Sequence, residues 1–599
     1  MRRMLRGSAI ALTLLGTVLA ARPSAAQYTA DSQLNIISGT TSNWSGNYIV
    51  GSNTVADILF VQTGGLLADG SGFLGYEASA HNNFAAVIGT GSIWSNAGDL
   101  YIGNSGANNF LWIAAGGHVL CDFGVIGNAS GSTNNTVMVT GTSSVWNSSA
   151  FCVGCSGADN SLVISDGAQV SGGDAIVGGA ASSSNSSVQV IGAGSAWSVD
   201  RLFVGVDSLG SYGGSKLVIT DGGLLIVNNF AYVSWSNEFN SVVVSGTGSV
   251  LSNANTIYIG YFGADNSLVI SNGGYVVSRS AVIGYDRNAA SNNSVLVTDP
   301  GSVWNDNDSL VIGAGGGPAT SVVISNGGRV YTTGSSQVGG PQTCGMLVTG
   351  NGSLWKNSGF VAFYGTNTFM ISDGGQVVVD GALVYGRLPI SGGTLSVTNA
   401  AGDGILYITG GPPPNGVLAL NNGVVNVDNL QVIGFNYVTG CGTINGSVGS
   451  RGTILANCGG TLTFTGIVTN SGVMRATGGS VLEFYGPVVN TGSIDVMDGT
   501  ALFHSTFINT GTLVDASYFR VVSLAVQNND INITWTTAGG HSNVVQVATG
   551  RAGSYSNGFT DLSPVIGIPS TAGLGTTSYL DVGGATNSPA RFYRVRFAP

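Results

Sequence analysis

From about residue 35 to about residue 380 the chain alternates short apolar runs with short polar ones. The runs are rich in Val, Ile and Leu and bounded by Gly, Asn, Asp and Ser, so they predict β-strands joined by tight turns. Thr256-Ile257-Tyr258-Ile259, Ser267-Leu268-Val269-Ile270 and Gly274-Tyr275-Val276-Val277 are three such runs in one repeat. None is long enough for a buried helix.

The alternation has a fixed beat. A G-S-x-W-like motif ends at Trp44, Trp94, Trp146 and Trp197, then at Leu251, then at Trp304 and Trp355, in nearly even steps. Between these copies lies a second motif, seen at Ile164-Ser165-Asp166-Gly167, Ile219-Thr220-Asp221-Gly222, Ile270-Ser271-Asn272-Gly273, Ile324-Ser325-Asn326-Gly327 and Ile371-Ser372-Asp373-Gly374. The unit is therefore two halves of about 26 residues each, a period within the range of solenoid repeats. A polar position just ahead of each central strand keeps the same step. It holds Asn83, Asn109, Asn135, Asn160, Ser186, Ser215, Asn240, Asn266, Asn293, Thr320, Cys344 and Asn367.

Three strands in each half-unit close one coil. Stacked coils pair each strand in parallel with its copy about 4.8 Å away, and the rest of the coil supplies the long return that parallel strands require. The prediction is an all-β chain built on a parallel β-helix of three-strand coils over 27–410. Over 411–517 the beat shortens: Asn470-Ser471-Gly472, Asn490-Thr491-Gly492 and Asn509-Thr510-Gly511 recur at about 19–20 residues, predicting narrower coils after a Gly/Pro-rich break at 410–416. Residues 518–599 lose the repeat, and their alternating strands resemble a small fibronectin type III-like β-sandwich.

Two columns carry candidate roles. The Asn column (Asn83, Asn109, Asn135, Asn160, Asn240, Asn266, Asn293 and Asn367) reads as an inward ladder that satisfies backbone groups; sugar contacts are the alternative. For the Trp column the interval Val139 to Val145 equals Ile164 to Val170, which turns Trp146 outward. A row of Trp44, Trp94, Trp146, Trp197, Trp304 and Trp355 on the surface would stack on sugar rings. The alternative is packing against a turn, which Leu251 favours because Leu fills space without stacking.

Composition narrows the field. The 599 residues include 96 Gly, 13 Pro and only 8% charged positions against 43% hydrophobic ones, which excludes collagen and disorder and starves amphipathic helices of a polar face. Residues 1–26 read as a secretory signal peptide, with Arg2, Arg3 and Arg6 ahead of an apolar stretch and Ser24-Ala25-Ala26 at the cut. The mature chain holds no apolar run long enough for a transmembrane segment, so an exported, extracellular or cell-surface protein is expected. The formal charge of −11 speaks against nucleic acid. In an exported chain Cys441 and Cys458 are a candidate disulfide on neighbouring coils, whereas Cys152-Val153-Gly154-Cys155 reads as turn and packing residues.

The repeats Gly248-Ser249-Val250, Tyr258-Ile259-Gly260 and Asn266-Ser267-Leu268-Val269-Ile270-Ser271-Asn272-Gly273-Gly274 resemble those of bacterial autotransporter passenger and adhesin-like β-strand repeat proteins. The resemblance implies an extracellular β-helix and surface display, without naming a ligand. It departs at the C-terminus, where the stretch 518–599 is too short for a large membrane β-barrel. No motif in the sequence announces catalysis. His81, His118, His504 and His541 are widely separated, Asp306 and Asp308 are the densest acidic pair with no base beside them, and no metal or cofactor is expected. The expected function is structural or adhesive, presenting repeated weak contacts to glycans or cell-surface polymers. The rival is a polysaccharide lyase or glycoside hydrolase working on one face of the helix.

Overall fold

The computed structural model describes residues 28–206, 213–286, 289–313, 318–340, 344–364, 368–410, 415–551, 554–555, 558–569, 574–586 and 590–598. The signal segment, Asn367 and the break at 411–414 lie outside them. Among the described residues all regular structure is β except a 3-10 turn at Gly584–Thr586. The chain divides into two compact units, residues 1–359 and 360–599.

In the first unit each coil gives one strand to each of three parallel sheets, the parallel β-helix that the periodicity predicts. The first face is built from strands such as Thr136–Thr140, Ser161–Ser165 and Ser187–Ile191. The second carries Gln169–Ser171, Ala196–Val199 and Leu224–Val227. The third carries Asp174–Val177, Leu202–Val204 and Ala231–Val233. Each residue pairs with its counterparts one coil before and one coil after: Ile164 lies between Val139 and Val190. One beat of the sequence is thus one full winding. Alternate positions point inward, so Leu162, Ile164, Val188, Val190, Leu217 and Ile219 stack into a core that no single coil could bury.

The second unit also holds parallel coils, and their register steps are uneven. Thr394 pairs with Val424, Val417 with Tyr437, and Tyr437 with Thr453. From Thr453 the spacing settles, with Thr453 on Val473 and Val473 on Ser493. Phe464, Phe484 and Phe503 stack through these coils at 5.2 and 5.1 Å between ring centres. Beyond them the pairing turns antiparallel. One sheet comprises Val521–Gln527, Asp530–Ala538 and Leu574–Asp581, and a second is built around Ser542–Arg551 and Ala590–Phe597. Ile533 and Trp535 from the first sheet meet Val545, Tyr593 and Val595 from the second in one core. A buried ionic group ties these sheets to the last coils: Asp495 accepts from His541 Nε2 at 2.7 Å and meets Arg475 Nη2 at 3.0 Å, while Arg475 also donates to the Gly539 carbonyl.

Candidate functional site

The Trp column is inside the coil, which corrects the expected outward row. Trp94, Trp146, Trp197, Trp304 and Trp355 are all 0% exposed, Trp44 is half-buried, and Leu251 fills the same inward position at 2%. Trp146 pairs with Val170; it is Val145 that faces out. The equal intervals mislead by one residue, because the turn that ends in Ser144 is one longer than the Asp166-Gly167 turn, and a one-residue shift in a strand exchanges its two faces. The extra residue has a structural role. Ser92, Ser144, Ser195, Ser249, Ser302 and Ser353 are fully buried, and each hydroxyl accepts the backbone N–H of a Gly one coil back, as Ser195 does from Gly167 at 2.9 Å. The two kinds of turn interlock, which is why the repeat is two coils long.

Four of the five fully buried tryptophans then reach back one coil. In each, Nε1 donates to the residue two places after the paired position: Trp94 to Asp69 at 2.7 Å, Trp146 to Cys121, Trp304 to Ser278 and Trp355 to Thr332. For Trp197 that residue is Gly172, which has no side chain, and the indole nitrogen has no partner among the described residues. Room for the ring comes partly from Gly72 and Gly124, where a Cβ would sit 2.8 and 2.7 Å from the rings of Trp94 and Trp146. This inner corner also holds carboxyls. Burial raises Asp69 to about 7 against the opposing Trp94 hydrogen bond, and raises Asp306 to about 8.

The Asn column is a ladder of buried amides. The oxygen of Asn109 accepts both the backbone N–H and the Nδ2 of Asn83 at 3.0 Å, Asn135 does the same for Asn109, and Asn160 for Asn135. Asn266 and Asn293 repeat the contact for Asn240 and Asn266. These amides have no surface to offer a ligand. Cys441 and Cys458 form a disulfide with Cα atoms 6.0 Å apart. Cys152 and Cys155 are likewise joined, so that pair is a covalent bridge rather than simple turn packing.

What faces outward is a set of aromatics that the repeat pattern alone does not single out. On the outer side of the third face Phe203, Tyr232 and Tyr258 occupy successive coils in register and stack at 5.1 and 5.0 Å. Three residues later in each coil the chain turns back over this column. Trp235, Tyr261 and Tyr285 there form a second stack at 4.8 and 4.5 Å. The columns meet edge to face: Tyr232 against Trp235 at 4.8 Å and Tyr258 against Tyr261 at 5.1 Å. Trp235, Tyr258 and Tyr261 are half-buried and Tyr285 is 42% exposed. Desolvation raises the Tyr261 phenol to about 12 and pushes Tyr232 and Tyr258 up as well, so these hydroxyls stay protonated near neutrality. At one margin Arg201, paired with Asp174, lies over Phe203. The chemistry on offer is stacking, ring edges and phenol hydroxyls, which is a binding chemistry. The signal in the sequence is the three-residue spacing of aromatics in Tyr232-x-x-Trp235 and Tyr258-x-x-Tyr261, masked by the more regular tryptophans.

Titratable groups gather elsewhere. In the second unit Glu483 Oε1 accepts from Tyr485 at 3.2 Å and lies 3.0 Å from His504 Nε2, and the Tyr485 and His504 rings stack at 4.5 Å. The hydrogen bond to Glu483 raises the Tyr485 phenol, which works against its use as a base. His118 Nε2 lies 3.2 Å from the Ser143 carbonyl and His541 is buried against Asp495. Asp306 points into the core, apart from solvent. The arginines of the C-terminal sheets are largely engaged: Arg591 with Asp581, Arg596 with Asp561, and Arg594 with Gln546. Among the described residues no group of three or more His, Cys, Asp or Glu is placed to hold a metal, and no helix is long and apolar enough to cross a membrane. No protein-family model matches this chain, and no curated protein is significantly similar to it.

Proposed function

We propose that this protein is a secreted or surface-displayed, adhesin-like β-solenoid that presents repeated weak contacts to glycans or cell-surface polymers. The observation that carries the reading is the pair of outward aromatic columns ending at Trp235, Tyr261 and Tyr285, three half-buried to exposed rings in consecutive coils. The π faces of exposed aromatic rings suit the CH-rich faces of sugars, and protonated phenols suit their hydroxyls. Repetition at coil spacing lets several weak contacts act together. The predicted leader, the scarcity of charge and the resemblance to autotransporter passengers support export and display, with Gln27 as the first mature residue. The C-terminal sheets act in this reading as a cap on the last coils, held there by Asp495, His541 and Arg475.

The test is a glycan array probed with the mature protein and with a Trp235→Ala/Tyr285→Ala double variant. Retention of a glycan class by the parent, weakened at least tenfold in the variant, is expected. Retention of none, or equal retention by both, overturns the reading. A polysaccharide lyase or glycoside hydrolase acting on one face is the second reading, favoured by the outward Glu483, Tyr485 and His504 cluster. Turnover measured as new reducing ends, abolished by Glu483→Gln, would establish it in place of the adhesive one.

A further inference from the structure

A notch on the outer side of the second unit has the chemistry of an acidic-sugar site. The outward column of its third face runs Gln431, Gly449, Thr469. Gly449 lets the Gln431 amide lie across that column: a Cβ there would sit 2.7 Å from the amide and displace it. Beside it an open cavity of about 330 Å³ is lined by Asn429, Gln431, Ser447, Arg451, Thr469 and Ile467, among others, and is at the small end of ligand clefts, the size of a sugar unit or two.

Its charge is one-sided. Arg451 is exposed and takes part in none of the ion pairs among the described residues, and no carboxylate lines the cavity. In a chain with 29 acidic and 18 basic residues, an acid-free cavity around an arginine stands out. A guanidinium presents a planar fork that matches a carboxylate with two parallel hydrogen bonds. Around it the amides of Asn429 and Gln431 and the hydroxyls of Ser447 and Thr469 supply donors and acceptors for ring hydroxyls. Gln431 Nε2 already donates to Asn429 Oδ1 at 2.7 Å, which orients its own oxygen for use as an acceptor. Ile467, 52% exposed, offers the apolar patch that a pyranose CH face needs.

We propose that this notch binds a uronate unit, the carboxylate on Arg451 and the ring between Ile467 and the Gln431 amide. No residue of the aromatic columns takes part, so failure at either site leaves the other standing.

The test is calorimetric titration of the full mature chain with a galacturonate trimer, the matching neutral galactose trimer and inorganic phosphate. The parent is expected to bind the galacturonate trimer at least tenfold more tightly than either control. Arg451→Gln, which removes the charge, and Gly449→Val, which displaces the Gln431 amide and lies at a backbone position free of left-handed strain, each lose that binding while the melting temperature holds. The Trp235→Ala/Tyr285→Ala chain retains it. Equal binding of the neutral trimer or of phosphate, no binding of the galacturonate trimer, or unchanged affinity in Arg451→Gln overturns the proposal. Arg451→Gln remains decisive should Gly449→Val misfold.

Discussion

Cys155 closes on Cys152 across the same three-residue step that sets Trp235 against Tyr232 three coils later. Cys152 stands in the outward column of the third face that runs through Phe73, Tyr101, Val125, Cys152, Ile176, Phe203 and Tyr232. The residue three places on begins the turn that folds back over the column. Phe73 and Tyr76 make the contact with rings 5.0 Å apart, and Cys152 and Cys155 make it covalently. The third strand of these coils is short, and this second layer buries its outer side.

The bridge sets the thiol count. Four of the six cysteines are paired, leaving Cys121 and Cys344, whose thiols burial pushes up to about 11. Ellman titration without reductant is expected to find two reactive thiols per unfolded chain and negligible fast reaction in the folded one. Cys155→Ser should cost roughly 2 kcal/mol in urea unfolding, the loop-closure entropy of so short a ring. Six reactive thiols in the unreduced unfolded chain would overturn both disulfides.

The inward tryptophans predict a graded response. Trp304→Ala should cost about 3–5 kcal/mol through the cavity it leaves. Trp304→Leu should cost clearly less, because Leu251 already serves in the same column with 2% exposure. Chemical denaturation measures both, and equal losses would contradict the shared role of that column.

Asp306 makes stability depend on pH. Its carboxyl is raised by burial from 3.8 to about 8, so the folded state holds a proton that the unfolded chain releases. The stabilising effect of that proton is complete below pH 4 and is lost as pH climbs towards 8, at up to roughly 1.4 kcal/mol per pH unit. Relative to Asp306→Asn, the parent should therefore weaken between pH 4 and pH 8. Urea midpoints of the two chains at pH 4, 6 and 8 check the sign, and parallel profiles would refute it.

Asp495 has the opposite sign. Burial works to raise its carboxyl, but the hydrogen bond and charge of His541, with Arg475 beyond, bring it below its ordinary value. Its contribution is present above the unfolded carboxylate range and disappears as pH falls below about 4. Asp495→Asn leaves the half-buried Arg475 without its counter-charge and the buried His541 without its carboxylate, at a cost of about 3 kcal/mol, the low end for breaking a buried pair. Limited proteolysis is expected to remove the C-terminal sheets from this variant first, and a parent-like digestion pattern would count against the tie.

The even beat from Asn83 to Asn109 to Asn135, the turn residues and the near absence of Glu and Lys were enough, on sequence alone, to specify stacked parallel coils. One winding per repeat is the way such short apolar strands bury their inner faces. The Asn position was legible for the same reason, because a buried backbone corner repeated in every coil demands the same amide each time. The side on which each tryptophan points depended on whether the turn at Ser144 holds one residue more than the turn at Gly167, and a strand's two faces differ by that single residue. The outward aromatics, the Cys152–Cys155 bridge and the notch beside Gly449 depend on contacts between turns and neighbouring coils. Those contacts follow from the height and handedness of the winding, which composition and spacing leave open until the chain is folded.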